Sequence, residues 1–243
     1  MGKKILSILG LGIVLIGIVF GGNLVLILVG AILLGLGQMS KENGNNPKNK
    51  QVFHEFFDDV KVDPASHLLD VSDTNIPLPK HDYCSGSGYV QGKYKGLDIE
   101  LCTIKLTDVT EVLRDETGLW EKNENTVYTG EWMLCNLDCK FSTWLTMYPR
   151  NVLNKQTIKT GNEAFDKKFN LSCGDQEEAL KILDSSCLEK IMTLTNGPFR
   201  KFALNLNMDG KLYIAAHSGH GFENPSRDEL KWFMALLDVF NIK

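Results

Sequence analysis

Phe202-Ala-Leu-Asn-Leu-Asn-Met-Asp-Gly-Lys-Leu-Tyr-Ile-Ala-Ala216 decides the fold class. Phe202, Leu204, Leu206 and Met208 alternate with polar or small residues, Asp209-Gly210 supplies a two-residue hairpin turn, and Leu212, Ile214 and Ala216 resume the alternation. A period of two on both sides of a turn means antiparallel strands with one face on a core, because successive side chains point to opposite faces. Downstream, Ser226 and Glu229 form a capping-box pair near Pro225. Leu230, Phe233, Met234, Leu237 and Phe240 then make the apolar stripe of a last helix that closes over the sheet. Upstream, Asp175 with Glu178 and Ser186 with Glu189 repeat that start signal, so two short middle helices are expected.

Further towards the N-terminus, Tyr89–Tyr94 and Leu97–Leu106 read as a hairpin across Lys95-Gly96, with a phase slip near Cys102 that suggests a bulge. Arg114–Asn125 is polar and reads as a loop, and Val127–Leu137 with Phe141–Tyr148 reads as a second strand pair. The order β-β-β-β-α-α-β-β-α has hairpins in succession and no βαβ alternation. It predicts an α+β domain: a mostly antiparallel sheet, two middle helices and a C-terminal helix. Val52, Phe53, Phe56, Phe57 and Val60 recur at helical spacing up to Pro64 and predict a short amphipathic helix docked on that domain. Trp120, Trp132, Trp144 and Trp232 are read as core first and as contact surface second.

The N-terminus is of another kind. From Ile5 to Leu36 the chain carries 32 residues without a charge. One straight helix of that length would measure about 48 Å, against a hydrocarbon core of about 30 Å. The run is interrupted at Gly21-Gly22-Asn23, which leaves the arms Ile5–Phe20 and Leu24–Gly37 as two short spans. Lys3 and Lys4 precede the run, and Lys41, Lys48 and Lys50 follow it. A hairpin puts both basic flanks in the cytoplasm, as the positive-inside rule requires; one tilted span is the alternative. The expected organisation is a membrane anchor over 1–39 in contact with lipid, a flexible stalk over 40–51 (SKENGNNPKNKQ), and an α+β domain over 52–243 facing the cytoplasm.

Thirty acidic residues against 26 basic ones, and a pI near 5.8, exclude nucleic acid as the main partner, because phosphate binding needs a basic surface. In the cytoplasm the six cysteines are free thiols, and Cys135-x3-Cys139 lacks the second ligand pair of a zinc site. Ser85-Gly-Ser-Gly-Tyr-Val-Gln-Gly92 has the wrong glycine spacing for a nucleotide loop and leads into a strand. His217-Ser-Gly-His220-Gly221 sets two imidazoles close together, so His217 and His220 are the weak candidates for a metal. Zinc would need two more ligands, for which His81, Asp82 and Glu223 are available in principle. No catalytic set, cofactor motif or nucleophile elbow is assembled. The paired carboxylates Asp58/Asp59 and Glu177/Glu178 read as solvated helix faces.

Four signposts occur in order: Ser87-Gly-Tyr-Val-Gln-Gly-Lys-Tyr-Lys-Gly-Leu-Asp-Ile-Glu-Leu101, Thr129-Gly-Glu-Trp-Met-Leu-Cys135, Phe165-Asp-Lys-Lys-Phe-Asn170 and Glu178-Ala-Leu-Lys-Ile-Leu183. Together they resemble a bacterial family catalogued as domain of unknown function 3137, over roughly Tyr83 to Glu223. The resemblance implies N-terminal transmembrane helices before a soluble domain. It supplies no activity and no catalytic residues. The short span and the cysteine load, Cys135 and Cys139 included, depart from the family pattern. The expected function is a non-enzymatic protein-binding module at the cytoplasmic face of a bacterial inner membrane, whose partner is another membrane or cytoplasmic protein. The alternative is a membrane-tethered hydrolase or metal-dependent enzyme using His217 and His220.

Overall fold

The Phe202–Ala216 hairpin forms in the middle of an eight-stranded antiparallel sheet in the computed structural model, which describes residues 47–63, 68–113, 120–150, 158–217, 222 and 225–240. In chain order the elements are α1 (Pro47–His54), β1 (Asp58–Asp63), β2 (Tyr83–Tyr94), β3 (Leu97–Leu113), β4 (Trp120–Asn136) and β5 (Leu145–Pro149). They continue as α2 (Glu163–Lys168), β6 (Phe169–Cys173), α3 (Gln176–Ile182), α4 (Ser185–Leu194), β7 (Phe202–Leu206), β8 (Lys211–Ala216) and α5 (Arg227–Phe240). The sheet order is β1-β2-β3-β4-β8-β7-β5-β6. The α+β class with a mostly antiparallel sheet and a closing C-terminal helix is therefore present. The described residues all belong to the unit Pro47–Lys243. The expected anchor, with Ile5, Phe20, Leu24, Leu36 and the turn Gly21-Gly22-Asn23, lies outside them. Among the described residues no helix is long and apolar enough to cross a membrane.

Local signals place several elements. Asp175 caps α3 by accepting from Glu178 N at 3.0 Å. Ser226 and Glu229 exchange both bonds of the capping box, Glu229 N to Ser226 Oγ at 3.1 Å and Ser226 N to Glu229 Oε2 at 2.8 Å. The cap of α4 is Asp184, two residues before the predicted Ser186, and accepts from Cys187 N at 2.7 Å. In the β7–β8 hairpin Gly210 N donates to Asn207 O and Asn207 N to Lys211 O. The loop is thus Met208-Asp209-Gly210, three residues rather than two, and Gly210 takes the left-handed position at φ +89°.

Five expectations are corrected. The helix read over Val52–Val60 starts at Pro47, inside the expected stalk, and ends at His54, where Phe56 and Phe57 turn the chain into edge strand β1. Proline suits a first helical position, and Val60 and Val62 already follow strand alternation. Asp58 and Asp59 accordingly sit at a strand irregularity rather than on a helix face, with Asp59 at φ +51°. Of the expected loop Arg114–Asn125, residues 120–125 are strand, since β4 starts at Trp120, and 114–119 lie outside the described residues. The segment Val127–Leu137 does not pair with Phe141–Tyr148: β4 lies between β3 and β8, and β5 between β6 and β7. Among the described residues the middle helices number three, because α2 and the strand β6 occupy Glu163–Cys173.

The slip near Cys102 has a different origin from a shift within β3. Ile99 and Leu101 join the core on the helix side, while Cys102, Ile104 and Leu106 join the core on the opposite face. The strand keeps its period of two and is buried first on one face and then on the other. The irregularity itself is in β2, where Gly88 and Tyr89 together oppose Cys102.

The sheet thus has two covered faces. On the first, α5 lays Leu230, Phe233, Leu237 and Phe240 against Leu204, Leu206, Leu212 and Ile214. Phe199, Phe202, Trp232 and Phe233 pack edge to face there at 4.9–5.3 Å between centroids. Each such ring contributes about 1.5–3 kcal/mol on burial. On the second face an irregular strap over 68–82 buries Leu69 and Ile76 against Tyr89, Ile104, Trp132 and Tyr213. The Asp70 carboxylate, accepting from Ser72 N at 2.9 Å and Ser72 Oγ at 2.6 Å, shapes its first turn. Asp82 ties its end to β3, accepting from Val109 N at 2.8 Å.

Candidate functional site

β3 and β4 outrun the rest of the sheet. β2 pairs with β3 only as far as Thr107, and β8 pairs with β4 only over Glu131–Asn136. Beyond Thr107 the two strands continue alone to Leu113 and Trp120, a two-stranded arm that extends for roughly 20 Å at about 3.4 Å per residue. A bulge at its root places Val127 opposite no partner, between the pairs Leu106–Tyr128 and Thr107–Thr126. Such bulges bend and twist the strand that carries them. At the far end Leu113 and Trp120 are direct cross-strand neighbours, and Trp120 is 68% exposed. Val112 is exposed beside them. Trp132 and Trp232 are core residues and Trp144 is half-buried, so Trp120 alone among the four tryptophans stands in solvent. Among its described residues the arm carries Asp108, Glu111, Glu121 and Glu124 against Lys122.

A second feature lies on the strap-covered face. A cavity of about 440 Å³ opens between the strap segment Ile76–Pro79 and the ends of β4, β5, β7 and β8. Ala203 and Ala215 form its floor, Tyr128 and Tyr148 stand at its sides, and Lys201 and His217 lie at its mouth. Gly130 makes this arrangement possible. A Cβ there would lie inside the van der Waals envelope of the Tyr128 hydroxyl, 2.6 Å from Tyr128 Cζ and 2.8 Å from Ala216 O. Without it the Tyr128 ring folds along β4, and its hydroxyl accepts from Trp132 Nε1 at 3.0 Å. Burial pushes the Tyr128 phenol up to about 12, so it stays protonated and has its own hydrogen to donate. One strand beyond Tyr148, its neighbour Asn170 is fully buried, and neither its amide nitrogen nor its oxygen has a hydrogen-bond partner.

The candidates read from the sequence fall as follows. His217 Nδ1 donates to Thr129 O at 2.6 Å, which leaves Nε2 as the free ring nitrogen. His220 lies outside the described residues. Among the described residues no three His, Cys, Asp or Glu side chains are placed to hold a metal ion. The glycines of Ser85–Gly92 serve β2 and its bulge. All six cysteines are free thiols. Burial holds Cys135 and Cys187 up at about 12 and raises Cys84, Cys102, Cys139 and Cys173 as well, which keeps them protonated and weakly nucleophilic. A cavity of about 810 Å³ beside β1 and β2 is lined by mixed charges including Asp59, Lys61, Lys93 and Glu100 and gathers no convergent set.

Sequence reasoning missed the arm and the cavity. The arm is polar on both faces and resembles a loop. The cavity draws on five separated segments, and its one local trace is Tyr128-Thr-Gly130-Glu-Trp132, two aromatics flanking a glycine on one face of a strand.

No curated protein matches the chain. A solved structure of similar shape is the crystal structure of the mycobacterial trehalose monomycolate transport factor A, TtfA, at 8% identity and a TM-score of 0.48, with 82% of this chain and 93% of that chain covered. Residues 126–240, from the root of the arm in β4 to the end of α5, match the model of the family described as protein of unknown function (DUF3137), the family to which the ordered motifs point.

Proposed function

We propose that the protein is a non-enzymatic binding module, held at the bacterial inner membrane by a transmembrane hairpin over 1–39, that presents the β3–β4 arm to a protein partner at the cytoplasmic face. The observation that carries this reading is the exposed Leu113–Trp120 pair at the end of a two-stranded arm. Tryptophan is among the residue types most enriched in interface hot spots, and beyond the Asp82–Val109 tie the edges of the arm offer backbone donors and acceptors for strand addition. The four carboxylates disfavour anionic lipid as the occupant and favour a protein surface with an apolar pocket rimmed by Lys and Arg. The uncharged run from Ile5 to Leu36 supports the anchor.

The test is capture of partners by the full chain from detergent extracts of the native cells, in parallel with Leu113→Glu and Trp120→Glu. The expected result is a specific partner that survives high salt and is lost in both variants while their unfolding midpoints stay unchanged. Equal capture by wild type and variants, or no specific partner, overturns the assignment.

A further inference from the structure

We infer that the cavity over β4, β8, β7 and β5 is a binding site for a small amphiphile: an anionic head, phosphate or carboxylate, on a compact apolar or aromatic body. Its volume of about 440 Å³ lies in the range of ligand sites. The floor is cut down to alanine at Ala203 and Ala215, cross-strand neighbours on β7 and β8. In a row otherwise occupied by Trp132 and Tyr148, two adjacent small side chains leave room for a ring or a few methylenes between Tyr128 and Tyr148.

The charge at the mouth selects the head. Among the described residues no carboxylate lines the cavity. Lys201 lines it and takes part in none of the ion pairs among the described residues. His217 directly follows β8, and its backbone N donates to Lys201 O, just before β7, at 3.3 Å, so the ammonium and the imidazole sit opposite each other at the ends of paired strands. With Nδ1 committed to Thr129 O, the imidazole keeps Nε2 for a ligand. The Tyr128 hydroxyl, which accepts from Trp132, retains its proton as a third donor to an oxygen of the head. The site is separate from the tip of the arm and does not depend on the partner proposed for it.

The test is calorimetric titration of the full chain, in zwitterionic phosphatidylcholine nanodiscs, with phenyl phosphate and with phenol. Saturable binding of phenyl phosphate at one site per chain is expected, at least tenfold tighter than phenol. Lys201→Glu, an exposed position that leaves the core untouched, is expected to weaken phenyl phosphate at least tenfold and leave phenol unchanged. Ala215→Leu fills the floor and is expected to abolish both. Absence of saturable binding, or equal affinity in wild type and Lys201→Glu, overturns the inference. A competition arm identifies the source of the head: phosphatidic acid in the nanodiscs displaces phenyl phosphate if the natural ligand is a lipid headgroup. Phenyl phosphate binding unaffected by phosphatidic acid assigns the site to a soluble anion.

Discussion

Replacing Gly130 by alanine tests the packing on which the cavity rests. The new methyl would overlap the Tyr128 hydroxyl and approach Ala216 O to 2.8 Å. Because Ala216 O is backbone of the neighbouring strand, the ring of Tyr128 has to move. Overpacking of this kind costs about 1–3 kcal/mol. Displacing the ring also breaks its bond from Trp132 Nε1, and Trp132 is fully buried, so an unsatisfied indole N–H adds about 1–3 kcal/mol. Alanine regains only about 0.5–1 kcal/mol over glycine in a strand. A net loss of about 1–5 kcal/mol is expected, read from urea unfolding followed by tryptophan fluorescence. In a Tyr128→Ala background most of that loss should vanish, because the overlapping ring and the broken bond are both already gone. A Gly130→Ala protein within about 0.5 kcal/mol of wild type, or full additivity with Tyr128→Ala, would refute the reasoning, because additivity is the behaviour of distant sites and these two are in contact.

Further outcomes follow from the same structure. Trp120→Ala should leave stability within about 0.5 kcal/mol of wild type in the same urea assay, since the side chain is 68% exposed, and should reduce partner capture. Ser226→Ala removes the oxygen that accepts from Glu229 N and should cost about 0.5–2 kcal/mol. Gly210→Ala should exceed that, because φ is +89° and a Cβ would lie 2.6 Å from Leu137 O. Gly96→Ala, at φ +86° with nothing within 4 Å, should cost only the left-handed penalty of about 1–2 kcal/mol; equal losses in these two variants would argue against the steric part. Burial raises Cys135 and Cys187 from 9.0, and Tyr128 and Tyr213 from 10.0, to about 12 in the folded state. The folded chain then holds more protons than the unfolded one between about pH 9 and pH 12. The stability linked to these groups is therefore complete below pH 9 and is lost as pH rises towards 12. A urea midpoint that climbs over this interval would contradict the assignment.

What could be read in advance was what the chain writes locally. The hairpin at Phe202–Ala216 and the caps at Asp175 and Ser226 depend on residues a few positions apart, and they appear where the spacing put them. The arm escaped because hydrophobic alternation records a buried face, and Asp108–Glu111 and Glu121–Asn125 have none. The partners of β4 and β5 escaped because Cys135 meets Leu212 and Leu145 meets Leu206, contacts set by the whole sheet rather than by any window of sequence. At Cys102 the pattern was present but ambiguous, since a strand buried on both faces in succession imitates a register slip. The cavity residues Tyr148, Lys201 and Ala215 carry no shared spacing at all.

The sheet order also dictates a schedule for synthesis. β1 to β4 are neighbours in sequence as well as in space and can assemble as they emerge, but the Glu131–Asn136 edge of β4 waits for Lys211–Ala216. Until then Met133 and Cys135 are uncovered on one side and Trp132 and Leu134 on the other, beside a row of open backbone groups. Closure is completed only by α5, which ends at Phe240 of a 243-residue chain. A nascent chain stalled before β8 would therefore present a sticky, half-made sheet, and folding rate and chaperone demand should depend on how quickly the stretch from Lys211 to Phe240 is translated.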